Sequence, residues 1–229
     1  MKKLLPLLLA VLLLTGCQKA VMISGDFRLS ATEFSYYYWS EFFYLKDAYG
    51  EYLDGVVDFS QPLDESWESQ LIDQSLDVAA DTLALVFAAQ KEGFTLPDDY
   101  AESLEATWDS FLEAADGDLT AYLQASYGRK ATVESFRAYL ERAHLASAYA
   151  DHLFESLAPT EEEIDAYLQN HMGEYLDEGL SDDAELLARA KDDLLSELHG
   201  DQIRALRAKC DFQTDRNSIS IVLPKGLYK

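Results

Sequence analysis

Two cysteines, four histidines and many carboxylates are the groups in this chain able to do covalent, metal or acid–base chemistry. Cys17 has the most telling surroundings. It follows Leu14-Thr15-Gly16 at the end of an aliphatic run from Leu4, which is interrupted only by Pro6 and preceded by Met1-Lys2-Lys3. Such a run is shorter than the roughly 20 apolar residues that span a bilayer. A basic start and a short apolar stretch are instead the two parts of a secretory leader. Thr15 and Gly16 are small, and Cys17 carries a nucleophilic thiol. The other chemistry-bearing residues lack a pattern. His144, His152, His171 and His199 show no metal-ligand spacing. Asp182-Asp183 and Asp192-Asp193 fall on solvated helical stretches, where a carboxylate pair is ordinary surface. A Gly-rich phosphate loop, a nucleophile elbow and a zinc motif are all missing, so no catalytic residue, cofactor or metal is expected.

Leu14-Thr15-Gly16-Cys17 resembles the lipobox read by bacterial lipoprotein signal peptidase, and all four positions fit. The expectation is a signal peptide over residues 1–16, a diacylglycerol on Cys17 and a lipid-anchored tether over 17–20. Two acyl chains hold a protein firmly where one holds it weakly. The chain is therefore expected on the outer face of a bacterial cytoplasmic membrane, with no transmembrane helix.

Composition narrows the partners. The formal charge of −24 becomes about −26 once Lys2 and Lys3 leave with the leader. A charge of that sign repels nucleic-acid phosphate and opposes a broad face lying on anionic lipid. The hydrophobic share of 48% supports a packed core, so the acid belongs to a solvated surface and not to a disordered chain. With Cys17 lipidated, Cys210 has no intrachain partner, and the fold must hold without a disulfide.

The elements follow from caps and breakers. Residues 21–29 read as two short strands around Ser24-Gly25-Asp26. Ser30-Ala31-Thr32-Glu33 is a capping box opening a helix to about Tyr49. Aromatics occupy nearly the whole circumference of this helix, so it lacks a solvated face and must be surrounded or must offer apolar surface to something else. Further helices are expected at about 67–91, 98–115, 119–127, 132–157, 160–175 and 181–209. Pro97 starts one of them, and Thr160 with Glu163 forms a second capping box. Asn217 to Leu223 alternates like a strand, and an isolated hairpin is marginal, so residues 218–223 are expected to pair with 21–29. Residues 30–209 then form the helical body of a single domain over 21–223, followed by a tail over 224–229.

This order of parts is similar to the chaperone region of the SurA and PrsA family. The residues that carry the resemblance are Ile23-Ser24-Gly25-Asp26 before Phe34-Ser35-Tyr36-Tyr37-Tyr38, and Lys91-Glu92-Gly93-Phe94. Leu123 to Gly128, Thr132 to Phe136, and Pro159-Thr160-Glu161-Glu162-Glu163 up to Tyr167 add to it. It implies a mostly α fold, a SurA N-terminal-like helical cradle closed by a small sheet from the N-terminal hairpin and a C-terminal strand. It also implies an extracytoplasmic chaperone that binds unfolded or nascent exported polypeptides. Enzymes of that family carry a parvulin-type prolyl isomerase domain before the last helix, where this chain has only Leu176 to Leu180. No catalytic residue transfers.

Tyr37, Trp39, Phe43, Tyr44, Trp67 and Trp108 are the candidate client-binding residues, because aromatic surface accepts many sequences. Core packing is the commoner role of such a stripe. Two other functions stay open: a prolyl isomerase acting by a route the sequence does not show, and a lipoprotein that docks one dedicated partner. The anchor gives the first prediction. Cys17→Ser should abolish labelling by a metabolically supplied fatty acid and leave uncleaved precursor or protein in the medium. Normal labelling of that variant would remove the anchor.

Overall fold

The computed structural model describes residues 19–50 and 56–221. Within them the chain is mostly helical with a small antiparallel sheet. The elements are β1 (Ala20–Ser24), β2 (Phe27–Ser30), α1 (Ala31–Tyr49), α2 (Glu65–Glu92), α3 (Asp98–Ala114), α4 (Leu119–Tyr127), α5 (Val133–Phe154), α6 (Glu161–Asp177), α7 (Asp183–Arg207) and β3 (Gln213–Thr214). Two compact units divide them, one holding residues up to 79, 109–139 and 211 onward, the other 80–108 and 140–210.

The first unit starts with a hairpin. Gly25 takes φ +56°, a left-handed turn position that costs a glycine little, and Asp26 completes the reversal. Ser30 then does two jobs. Its backbone pairs with Ala20 at the end of the ladder, and its hydroxyl accepts from the Glu33 amide at 3.2 Å. The Glu33 carboxylate accepts from the Ser30 amide in return at 3.1 Å, so both halves of the capping box form. The sheet therefore hands the chain directly to α1.

The third strand differs from expectation. β1 is central, β2 and β3 flank it, and β3 is Gln213–Thr214, paired with Ile23 and Met22. Residues 218–223 do not form it: Arg216–Ser218 is a 3₁₀ turn, Ile219 to Ile221 carry no strand, and 222–223 lie outside the described residues. The cause is Asp215. Its carboxylate accepts from the Asn217 amide at 3.0 Å and from the Ser218 hydroxyl at 2.5 Å, which coils the backbone locally where a ladder would have to run straight. Arg216 then ties this turn to Asp73 and Ser69 of α2.

The second unit is helical. Leu85, Val86 and Ala89 of α2 pack with Ala146 and Tyr149 of α5, and Ile203 and Leu206 of α7 join them. Two helix ends are closed in the same way. Gly93 (φ +70°) lets the Phe94 amide reach the Ala89 carbonyl, and Phe94 packs on Tyr149. Gly179 (φ +90°) lets the Leu180 amide reach the Tyr175 carbonyl, and Leu180 joins a cluster of Tyr175, Leu186 and Ala190 between α6 and α7. Each is a Schellman ending, with its apolar contact in place.

β3 is short, yet it satisfies the outer edge of β1, and the Asp215 amide adds a bond to the Val21 carbonyl at 2.9 Å. Truncation after Asp211 should cost about 2–4 kcal/mol, from a few ladder bonds at roughly 1 kcal/mol each and an exposed edge. Thermal unfolding followed by circular dichroism measures it. An unchanged midpoint would show that the third strand is dispensable.

Candidate functional site

The aromatic residues of α1 divide into those that are covered and those that are not. Phe34, Tyr36, Tyr37, Tyr38, Trp39 and Phe42 are buried. The cover comes from within the first unit. The Tyr36 ring meets Tyr127 of α4 at 5.4 Å and Phe136 of α5 at 5.3 Å, both edge to face, and Tyr37 meets Tyr139 at 5.0 Å. Such pairs add about 0.5–1.5 kcal/mol each beyond their burial. Phe42 meets Phe59 at 5.6 Å.

The same elements pair several of the buried hydroxyls. The Tyr36 hydroxyl lies 2.6 Å from the Ser135 hydroxyl, the Ser35 hydroxyl donates to the Tyr127 carbonyl at 3.2 Å, and Ser40 meets the Tyr139 hydroxyl at 3.2 Å. Burial is the first cause that raises the pKa values of Tyr36, Tyr127 and Tyr139 above the ordinary phenol range. In the second unit, burial and the neighbouring Glu92 carboxylate push Tyr149 up to about 12.

Six residues were expected to contact a client. Tyr37 and Trp39 are 3% and 0% exposed, so they are core and offer nothing to a ligand. Phe43 is half-buried beside Trp39, their ring centres 6.2 Å apart. Trp67 and Trp108 are half-buried, and Trp108 falls in the other unit. Tyr44 alone of the six is well exposed, at 55%. Another exposed ring lies beside it. Tyr49 is 44% exposed with its ring 6.0 Å from that of Tyr44, and Val56, just past the segment 51–55, is 63% exposed. Hydrogen bonding to Tyr49 raises the Tyr44 pKa. The signal for Tyr49 was its place in the last turn before Gly50, where a helix runs out of neighbours to cover it.

The arrangement provides apolar contact. Among the described residues no group of three or more His, Cys, Asp or Glu could hold a metal ion. Within the same residues no helix is long and apolar enough to cross a membrane. The Cys210 thiol donates to the Leu206 carbonyl, and burial raises its pKa. Cys17 lies outside the described residues.

Comparison with known families finds one match, over residues 1–18, to the prokaryotic membrane lipoprotein lipid attachment site. No curated protein and no solved structure matches the chain. The leader thus marks a membrane-anchored lipoprotein.

The tyrosines predict alkaline behaviour. Below about pH 10 each phenol is protonated in both states and its stabilisation is complete. As pH rises further, the unfolded chain ionises first while buried Tyr36, Tyr127, Tyr139 and Tyr149 stay neutral, so stability falls. Ultraviolet titration of tyrosinate should show at least four of the 14 tyrosines ionising late, together with unfolding. All 14 titrating together at the ordinary phenol value in folded protein would contradict the buried cluster.

Proposed function

We propose that this lipid-anchored chain is an extracytoplasmic holdase that binds unfolded exported polypeptides at the outer face of a cytoplasmic membrane and lacks isomerase activity. The observation that carries the reading is the exposed aromatic end of α1, where Tyr44 and Tyr49 stand out from a surface rich in acid. Apolar side chains grip a client without reading its sequence, and the acid keeps carrier and client in solution. The helical body and its small sheet agree with the expectation drawn from the SurA and PrsA resemblance.

Prolyl isomerisation is slow because the peptide bond must lose its conjugation, and speeding it needs a site that favours the twisted amide. Residues 178–182 between α6 and α7 leave no room for an inserted parvulin domain. A holdase needs only the exposed patch.

The chain beginning at Gln18 should suppress light scattering from a chemically unfolded protein diluted into buffer. It should leave X-Pro isomerisation of a short peptide at its uncatalysed rate. Tyr44→Ser with Tyr49→Ser should cut protection severalfold and leave the melting temperature nearly unchanged, since both side chains are largely in water already. Catalysed isomerisation would point to an enzyme. Failure to protect any client, with capture of one stoichiometric protein, would point to a dedicated partner.

A further inference from the structure

We propose that the end of the first unit nearest the anchor rests in the headgroup layer of the membrane, with Arg129 and Lys130 against anionic lipid phosphates. The proposal rests on the lipid anchor at Cys17 and is independent of the client reading. Its first support is the length of the tether. Only Gln18 separates Cys17 from Lys19, and β1 begins at Ala20. The three residue steps from Cys17 to Ala20 reach at most roughly 11 Å, so the start of β1 stays close to the lipid headgroups.

A short series of contacts leads from that point to the two cations. Ala20 pairs with Ser30, which caps α1. In the first turns of α1, the Ser35 hydroxyl donates to the Tyr127 carbonyl and the Tyr36 hydroxyl accepts from the Thr132 amide at 3.4 Å. Those two bonds bracket the α4–α5 connection. Between them the Ala131 amide donates to the Gly128 carbonyl at 3.0 Å, closing a four-residue turn whose two central positions are Arg129 and Lys130. Both side chains are exposed, and among the described residues neither has a carboxylate in ion-pair range. A cleft lined in part by Ala31, Thr32, Gly128, Lys130 and Ser220 brings the same elements together.

The acids near this end are engaged or set back. Glu33 closes the α1 capping box, and Asp215, which feels Lys19, accepts from Ser218 and Asn217. Glu134 in the first turn of α5 is the acid nearest in sequence to the cations. The chain as a whole repels an anionic surface, yet the part that the tether forces against it carries Lys19 and a cationic turn. Attraction of lysine and arginine to anionic lipid acts within about a Debye length, roughly 10 Å, which is the range the tether enforces.

The test uses the full lipidated chain in vesicles containing a headgroup-spin-labelled lipid, with Cys210→Ser to remove the native thiol. A fluorophore is placed at Ser220→Cys beside Lys130, or at Lys46→Cys, roughly 20 Å further along α1. In phosphatidylglycerol-rich vesicles the label at 220 should be quenched at least threefold more than the label at 46. Pure phosphatidylcholine, half-molar salt, or Lys19→Glu with Arg129→Glu and Lys130→Glu should each at least halve quenching at 220 while the chain still floats with the vesicles. Equal quenching at both positions, or quenching at 220 indifferent to lipid charge and salt, would overturn the proposal. A chain that does not float would overturn instead the anchor on which it stands.

Discussion

Helix α1 has apolar or aromatic side chains on every side over its first three turns, and water cannot be left on any of them. The first unit is built to meet that constraint. Phe34, Tyr36, Tyr37, Tyr38, Trp39 and Phe42 are all buried, and the rings that meet Tyr36 and Tyr37 come from residues about 90 to 100 positions away, on α4 and the first half of α5. Tyrosine makes this cover specific. A buried phenylalanine accepts any apolar neighbour, whereas a buried phenol requires a partner at a fixed place. Ser135, Ser40 and the Thr132 amide fill those places, and in doing so they set the register of α5 against α1.

The same requirement reaches the chain ends. Because α1 is fixed at its start by the Ser30 and Glu33 capping box, and Ser30 is also the last residue of β2, the hairpin inherits the position of the helix. A two-stranded hairpin alone is marginal. It gains β3 on the far side of β1 and the Arg216 contacts to α2 beyond it. Among the described residues no disulfide takes part, and aromatic burial with paired hydroxyls at Tyr36, Ser40 and Tyr139 holds this unit.

Most helix limits were readable because they are written in local chemistry. Both capping boxes formed, and Gly93 and Gly179 adopt the left-handed conformation that closes a helix. What was not readable depends on distant residues or on competition. The alternation in 218–223 resembles a strand, but an aspartate two residues before Asn217 wins with a turn, and the true β3 is too short to leave a periodic signal. The aromatic candidates show the other limit. Nothing near Tyr37 or Tyr44 in sequence distinguishes them, since both lie on one aromatic helix. Tyr139 covers the first, and α1 ends too soon for anything similar to reach Tyr44.

An exposed aromatic end and a strongly acidic surface are consistent demands on a protein held at a membrane. Anchoring confines copies to two dimensions, which raises their local concentration, and exposed rings such as Tyr44 and Tyr49 would then draw copies together. Like charge opposes that association over about a Debye length. On the holdase reading proposed above, the charge would separate carrier from carrier without closing the patch to other chains. It also sets a condition on the anchored end, because a chain this acidic is pushed from anionic lipid everywhere except where its own cations face the surface. A short tether would not let that repulsion decide the matter, and in the proposed arrangement the turn at Arg129 and Lys130 would make close approach tolerable.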